Sequence, residues 1–366
     1  MTLRARRRSE AGFTITELLV STAIMMTVTG AIFGLMNPAT GSAQAQPEVA
    51  DMQQRMRIGN ETLFKELVMA GAGPYQGVST GSLVNFFAPI LPRRTGRTAA
   101  DPTTGAASFK TDAVTLSYIP NSYSQTTISN PMPPQSAELK VNDQPNCPNG
   151  RQLCGFETGM QVIIFDTSGN FDTFVITHVQ DSAGHLQHRQ QDLNYPYQAG
   201  AQVTQIVSNT YYLNRTTNQL MRYNGASEDV ALADNVVDLR FDYFGDPNPP
   251  LFPKPPPGVA NCLYDATGNY VGPAALTPDD GSLAMLTAAM LTNGPYCGSG
   301  ANAFDADLLR IRKVRVSMRM QAAMAALRGS DTTLFMKPGS ARGGERYVPD
   351  YRVVFDVTPR NLNLAR

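Results

Sequence analysis

Three histidines are the first residues in this sequence that could support chemistry. His178, His185 and His188 fall close together, with Asp181 beside them. His185 and His188 are three residues apart, a spacing at which two imidazoles could reach one metal ion. A turn between two strands that carries solvent-exposed imidazoles is the favoured interpretation, because no third ligand stands at a suitable spacing.

The sequence otherwise lacks the signatures of catalysis. It contains no GxSxG nucleophile elbow, HExxH zinc motif, phosphate-binding P-loop or GxGxxG dinucleotide fingerprint. Its 366 residues include 30 basic and 30 acidic side chains, so it also lacks the basic excess that nucleic-acid binding requires. We therefore expect a protein that is not an enzyme and that has no cofactor, bound metal or nucleic-acid partner.

A single carboxylate stands inside an apolar run near the N-terminus. The run covers residues 13–36, and Glu17 is its only ionisable residue. As a helix rising about 1.5 Å per residue, it is long enough to span a hydrocarbon core of roughly 30 Å. A charge at that depth costs about 2.5–3.5 kcal/mol, so it is usually paired and functional. The alternative is that Glu17 lies at the membrane interface and snorkels into water.

Basic residues before the run predict its orientation. They are Arg4, Arg6, Arg7 and Arg8. By the positive-inside rule they stay in the cytoplasm, which places everything after Met36 outside. A plain signal anchor and a cleaved secretory signal are competing interpretations, since Ala43-Gln44-Ala45 forms an A-x-A pattern. The apolar cores of secretory signals are about 7–15 residues long, shorter than this run.

The segment GFTITELLV, residues 12–20, resembles the prepilin signal of type IV pilins and type II secretion pseudopilins. The resemblance implies that residues 1–12 are a leader, that a prepilin peptidase cuts after Gly12, and that the new amine of Phe13 is methylated. It also implies that Glu17 pairs with the Phe13 amine of a neighbouring subunit and guides docking into a filament. A carboxylate is the natural partner for an ammonium created inside the membrane.

After the apolar run, the sequence predicts the amphipathic half of a long helix. Asn37-Pro38 interrupts the pattern, and helical periodicity resumes at Pro47. Apolar residues recur at Val49, Met52, Met56, Leu63 and Leu67. We expect one interrupted helix from Phe13 to about Ala70. Its membrane-spanning half is residues 13–36, and its amphipathic half, residues 37–70, packs on the following domain.

Residues 71–366 are predicted to form a β-rich domain outside the cytoplasm, which makes the fold class α+β. Almost strict alternation of apolar and polar residues at 236–244 and 311–320 predicts half-buried antiparallel strands. Further strands are predicted at 113–119, 160–165, 173–179, 203–207, 211–213, 219–223 and 351–357. Two polar or proline-rich stretches, 120–158 and 245–305, are predicted to be insertions without strands. A short helix is expected near 278–291.

All four cysteines lie in the two insertions, at Cys147, Cys154, Cys262 and Cys297. Outside the cytoplasm, paired cysteines in long loops favour disulfides. The sequence-local pairs, Cys147–Cys154 and Cys262–Cys297, are the expected ones among three possible pairings. A zinc site would need closer CxxC spacing.

Short segments further along resemble the PilW family of minor pilins and the related minor pseudopilin GspJ. They lie at 55–73, 209–213, 220–223, 233–243 and 359–362. The resemblance implies a pilin-like fold, in which a long N-terminal helix packs on an antiparallel sheet. It also implies a structural subunit that helps to initiate or cap a type IV pilus.

The same resemblance implies where the chain acts and with what. The prepilin peptidase, the major pilin and other minor pilins would be its partners. Lipid of the inner membrane would surround the helix before the subunit moves into the pilus at the cell surface. Two alternatives stay open: a GspJ-like pseudopilin of type II secretion, and a membrane-anchored or tip adhesin that binds through the disulfide-closed insertions.

Overall fold

The computed structural model describes residues 12–74, 81–95, 108–144, 147–148, 150–225, 228–278, 282–341 and 347–363. The predicted leader therefore lies outside the described residues, except for Gly12. The protein is α+β, with an N-terminal helix and antiparallel sheets. The chain divides into two compact units. The first comprises Met1–Gln53 and Ala322–Asp350, and the second comprises Gln54–Gln321 and Tyr351–Arg366.

The N-terminal helix, α1, runs from Ile15 to Met69 without a break. The interruption predicted at Asn37-Pro38 is therefore wrong, and Pro47 also lies inside the helix rather than in a first turn. A proline in a helix removes one backbone hydrogen bond, and the long helical segments on both sides keep theirs. The chain leaves α1 at Gly71, whose φ of 79° is the left-handed conformation that commonly ends a helix.

In the second unit, the last turns of α1 pack against β-strands. Met56, Leu63 and Leu67 are buried on one side of the helix, as the amphipathic pattern predicts. Gly59 lies so close to the sheet that a Cβ there would stand 2.9 Å from Cε of Met318. Burying each large apolar side chain contributes about 1.5–3 kcal/mol, so this face is a substantial part of the core.

In the first unit, the segment Ala322–Asp350 is hydrogen-bonded to the middle of α1. The buried Glu48 accepts a hydrogen bond through Oε1 from the backbone N–H of Ala323, at 2.5 Å. Within this segment, Phe335 is fully buried and its ring meets that of Tyr347 edge-on at 5.6 Å. The hydrogen bond from Ala323 to Glu48 and the contact between these two rings therefore help to order the segment.

The strands are β1 Ile90–Leu91, β2 Ala113–Tyr118, β3 Gln125–Thr127, β4 Glu138–Lys140, β5 Gln161–Phe165, β6 Phe171–Val175, β7 His178–Gln180, β8 His185–Gln187, β9 Gln202–Gln205, β10 Val207–Asn214, β11 Gln219–Tyr223, β12 Asp229–Asp234, β13 Val236–Gly245, β14 Ala284–Leu286, β15 Tyr296–Cys297, β16 Phe304–Asp305, β17 Ile311–Met320 and β18 Tyr351–Val357. The strongest predictions, for β13 and β17, are confirmed, and the two strands pair with each other. Short 3₁₀ turns lie at Leu83–Asn85, Asp181–Ala183, Met290–Thr292, Gly300–Asn302, Ala306–Arg310, Ala325–Leu327 and Arg360–Leu362.

The strands form several antiparallel sheets. One has the order β1-β2-β10-β11-β12, and a second has the order β14-β13-β17-β18. A third sheet, β3-β9-β5-β6, and a fourth, β4-β8-β7, are built from the chain between β2 and β10. A short ladder pairs β15 with β16.

The first predicted insertion contributes strands to the third and fourth sheets. Strands β3 and β4 lie within 120–158, so the prediction that this stretch lacks strands is wrong. These two sheets share an apolar core, which includes Ile128, Val162, Phe174, Leu186 and Val203. Three-residue strands are too short to show a period of two, which is why the sequence pattern hides them.

The second predicted insertion also contains strands. A helix near 278–291 is not present in the described part of this stretch. Residues Ala284–Leu286 form β14, which pairs with the end of β13, and a 3₁₀ turn follows at Met290–Thr292. The exposed backbone edge of β13 supplies hydrogen bonds that outweigh a weak local helix preference.

The strand predicted at 173–179 is divided in the structure between β6 and β7.

Candidate functional site

The first half of α1 is apolar and exposed. Ile15–Leu35 has a mean hydropathy of 2.0, and none of it is buried against the rest of the protein. It is the one helix in the described part of the chain that is long and apolar enough to cross a bilayer. Soluble monomers rarely expose continuous apolar surfaces of this size. This half of α1 therefore fits a membrane environment, in which its apolar side chains leave water.

The carboxylate of Glu17 caps the start of α1. Its Oε2 accepts hydrogen bonds from the backbone N–H of Thr14 at 3.0 Å and from the Thr14 hydroxyl at 2.9 Å. The backbone N–H of Glu17 donates in turn to Oγ1 of Thr14 at 3.3 Å. This reciprocal arrangement is a capping box, which satisfies amides that the first helical turn leaves unpaired. Glu17 thus has a structural role within its own chain.

The predicted cleavage point lies immediately before this cap. Phe13 is 90% exposed, and a Cβ at Gly12 would have no heavy atom within 4 Å. Both residues precede the first helical residue, Ile15. The Gly12–Phe13 peptide bond therefore lies in an exposed stretch outside the helix, next to its membrane-length half.

The three histidines do not converge. His188 is fully buried, with its ring 4.8 Å from that of Phe174 and its Nδ1 2.8 Å from the carbonyl oxygen of Gln191. His185 has its Nδ1 3.3 Å from Oε2 of Glu138 on the neighbouring strand, and His178 is exposed. The expectation of three solvent-exposed imidazoles is thus wrong for His188. Among the described residues, no three His, Cys, Asp or Glu side chains are grouped to hold a metal ion.

The cysteines form two disulfides, and both pairs are the predicted sequence-local ones. Cys147 and Cys154 have Cα atoms 5.6 Å apart and close a short loop in the first insertion. Cys262 and Cys297 have Cα atoms 5.0 Å apart and join the proline-rich segment to β15. The second bridge ties down a long stretch of chain that contains little regular structure.

A buried arginine, which the sequence analysis missed, also holds the second insertion. The guanidinium of Arg310 is fully buried, with Nε 2.6 Å from Oδ1 of Asp307. It donates to the carbonyl oxygens of Pro247 at 2.9 Å, Asn248 at 3.3 Å, Pro273 at 3.1 Å and Ala274. Desolvation raises the pKa of Asp307 to about 6, against the opposing pull of the Arg310 charge. Most partners of Arg310 are backbone carbonyl groups, which the sequence does not reveal. Asp307, three residues before Arg310, was the one sign in the sequence that this arginine is paired.

A second buried carboxylate, Asp172 of β6, links its own sheet to the second insertion. It accepts hydrogen bonds from the backbone of Asn194 at 2.8 Å, the hydroxyl of Tyr197 at 3.0 Å and Nδ2 of Asn302 at 3.1 Å. Burial raises its pKa, while the hydrogen bonds from Asn194, Tyr195 and Tyr197 oppose the shift. The ring of Phe171 stands 6.1 Å from that of Phe304, so apolar packing accompanies the polar contacts.

An open groove lies beside the proline-rich segment of the second insertion. It has a volume of about 630 Å³ and is lined by residues 254–259, residues 264–268 and Thr167. Hydrogen bonds from Thr267 and Asn269 lower the pKa of Asp265 to about 2, so this carboxylate is satisfied within its own turn. Lys254 and the ring of Tyr264 are the remaining groups on the groove with obvious binding chemistry.

No family model matches this chain, and no curated protein or solved structure matches it either. Its function is therefore inferred from its own residues and their geometry.

Proposed function

We propose that this protein is a membrane-anchored, non-enzymatic subunit of a type IV pilin-like filament, of the PilW kind, that helps to initiate or cap a pilus. The observation that carries the proposal is the apolar, fully exposed first half of α1. It begins two residues after Phe13 and contains one carboxylate, Glu17. The cap alone accounts for an acidic residue in the first turn, so the proposal rests on the combination of Gly12-Phe13, Glu17 and the apolar run.

The physical logic links cleavage to docking. Cleavage after Gly12 creates an ammonium group on Phe13 at the start of an apolar helix, and that charge needs a partner when it leaves water. Glu17 of a neighbouring subunit can neutralise it, so two helices gain an ion pair only when they are staggered correctly. In a low-dielectric environment such a pair is strong and also penalises wrong alignments.

The capping role of Glu17 is compatible with docking. The hydrogen bonds with Thr14 use Oε2 of the carboxylate, which leaves Oε1 for a neighbour's ammonium. Thr14 follows Phe13 and stays in the chain after cleavage, so the cap survives processing. The cap also fixes the direction of the carboxylate before a partner arrives, which reduces the entropy lost on docking.

The proposal defines a location and a set of partners. The chain is anchored once in the inner membrane, with the bulk of residues 71–366 outside the cytoplasm, and later enters the filament. Its partners are the prepilin peptidase, the major pilin and other minor pilins. A GspJ-like place in a type II secretion pseudopilus uses the same N-terminal chemistry and is the alternative within this class.

Mass analysis of the mature N-terminus tests the proposal. In the native host we expect the chain to begin at N-methylated Phe13. A Gly12→Val variant should retain the leader and stay in the membrane, because the cleavage point is blocked. A mature chain that begins at Gln46, after Ala43-Gln44-Ala45, would mean that a secretory signal had been removed and would refute the proposal.

The groove at the second insertion favours a second function, adhesion by the subunit at a filament tip. The Cys262–Cys297 disulfide anchors the segment that lines it, and its volume is within the size range of small-ligand sites. Lys254→Glu changes an exposed side chain on its wall and should leave folding intact. Loss of surface attachment by this variant, with normal filament assembly, would support adhesion; unchanged attachment would exclude this groove.

A further inference from the structure

Three pieces of chain form the walls of the groove at the second insertion. They are the turn that carries Thr167, the proline-rich residues 254–259, and the turn at residues 264–268. The two turns have the same design. In each, an aspartate, Asp166 or Asp265, accepts hydrogen bonds from the backbone N–H groups two and four residues later. Both walls therefore have a defined shape that their own side chains maintain.

A single amide side chain, that of Asn261, joins the three walls. Its Nδ2 donates to the carbonyl oxygen of Pro253 at 2.9 Å and to that of Ser168 at 3.3 Å. Its Oδ1 accepts from the backbone N–H groups of residues 263 and 264, both at 2.9 Å. These four bonds use both donors and both lone pairs of the amide. The groove is therefore preorganised, which reduces the entropy lost when a ligand binds.

The groove has one charge that is not compensated within the chain. Both oxygens of Asp265 accept hydrogen bonds, Oδ1 from Thr267 and Oδ2 from Nδ2 of Asn269 at 3.1 Å. Lys254 on the opposite wall is exposed, and its ammonium makes no ion pair with any residue that the structure describes. The groove therefore favours a ligand that carries a negative charge.

The uncharged surface of the groove can accept hydrogen bonds better than it can donate them. Residues 255–257 are three consecutive prolines, which have carbonyl groups but no backbone N–H. An extended peptide is usually held in a groove by pairing with main-chain N–H and C=O groups, and this wall offers only the acceptors. Val259 is 39% exposed, and the hydroxyl of Tyr264 donates to the carbonyl oxygen of Leu251 at 3.1 Å, which fixes the position of its ring.

We propose that this groove binds a sugar that carries a carboxylate group. The hydroxyl groups of a sugar supply the donors that the proline wall lacks, and its C–H face can pack on the proline and tyrosine rings. The carboxylate then meets the ammonium of Lys254. One lysine is too little positive charge for a nucleic acid. The inference rests on the adhesive function proposed for this groove and names the class of ligand that it takes.

Matched pairs of saccharides test the proposal on the full-length protein in detergent micelles. Trigalacturonate and its methyl ester share the same rings and differ in charge, as do sialyllactose and lactose. At low salt, the charged member of a pair should bind about fivefold or more tightly than the neutral one. The preference should decrease at 1 M salt, where the Debye length is about 3 Å. The pair that shows the preference distinguishes a uronate polysaccharide from a sialylated glycan.

Substitutions of the lysine locate the effect. Lys254→Met should remove the preference for the charged saccharide and leave the affinity for the neutral one nearly unchanged. Lys254→Arg keeps the positive charge and should keep the preference. Lys140→Met makes the same change at an exposed position of β4, outside the groove, and should bind as the wild type does.

Three results would overturn the proposal. They are equal affinity of the wild type for both members of each pair, a preference that survives Lys254→Met, and tighter binding of a hexaglutamate peptide than of either acidic saccharide. The failure of the adhesive function is a different result. If Lys254→Glu abolishes surface attachment but no saccharide binds, adhesion through the groove stands and the acidic sugar is rejected. Binding of the sugar without any role in attachment would instead reject adhesion.

Discussion

The first half of α1 and the second insertion show opposite relations between sequence and environment. Ile15–Leu35 is the most apolar stretch of the chain that the structure describes as a helix, yet none of it is buried. The second insertion is rich in proline and polar residues, yet the Arg310 that holds it is completely buried and ion-paired with Asp307. The difference shows that hydropathy alone does not predict burial in this protein.

Each region needs its own explanation. An exposed apolar helix has a large unfavourable contact with water, so its stable state requires lipid or other subunits. A buried guanidinium has lost its hydration, so it must recover that energy from carboxylate and carbonyl partners within the chain. The first region therefore depends on its surroundings, which in our proposal are lipid and then a filament, while the partners of the second region lie within the chain and stabilise its fold.

Removal of the buried cation should have the largest effect on folding. Arg310→Met leaves Asp307 and several carbonyl groups buried without a partner, so we expect a loss of about 3–5 kcal/mol in the free energy of unfolding. The matched variant Arg240→Met removes an exposed arginine that pairs with Asp242 at 2.8 Å and should cost at most about 1 kcal/mol. Denaturant unfolding of the full chain measures both. Equal losses would mean that burial does not distinguish the two arginines.

Leucine truncation compares the two halves of α1 directly. Leu63 is fully buried, whereas Leu19 is 61% exposed. Leu63→Ala should lower the free energy of unfolding by about 2–5 kcal/mol, since it leaves a cavity against the sheet. Leu19→Ala should change it by less than about 0.5 kcal/mol, because no packing of the folded chain is lost. A comparable loss at Leu19 would show that the first half of α1 packs within its own chain.

A smaller effect is expected from the titration of Asp307. Its folded pKa of about 6 lies above its ordinary value, so the folded state binds more protons between about pH 4 and 6. This contribution to stability is fully present at low pH and is lost as the pH rises through 6. It amounts to about 1–2 kcal/mol once solvent screening is allowed for.

Asp307→Asn should abolish this dependence. The stability of the variant relative to the wild type should rise from pH 4 to pH 7, because the variant has no buried carboxyl to ionise. Unfolding curves at several pH values for both proteins give the difference directly. A difference that is constant across this range would mean that Asp307 titrates at its ordinary pKa.

The long regular elements were accessible from the sequence. Strands β13 and β17 alternate over about ten residues, and their bounds were predicted to within one residue. The continuity of α1 was not predicted, because Pro38 and Pro47 suggest breaks that the flanking helical turns override. The three-residue strands β3 and β4 were missed because so short a segment has no measurable period.

The candidate site was only partly accessible. The position of Glu17 in an apolar run is visible in the sequence, and its cap is readable as Thr14 three residues before a glutamate. The sequence analysis did not identify this cap, because it treated Glu17 only as a carboxylate in an apolar run. The carbonyl partners of Arg310 could not have been predicted, since they depend on how the insertion folds back and not on side-chain identity.

Incorporation of Glu17 and Thr14 variants into filaments tests the central claim most directly. Glu17→Val removes the carboxylate, and Thr14→Ala removes the capping hydroxyl while the carboxylate and the backbone N–H of residue 14 stay in place. Both variants should remain in the membrane. We expect Thr14→Ala to be recovered in sheared filaments, or cross-linked to a pilin-like partner, as the wild type is, and Glu17→Val to be absent from them. Normal incorporation of Glu17→Val, or equal failure of both variants, would show that Glu17 serves only as a helix cap and would contradict its role in assembly.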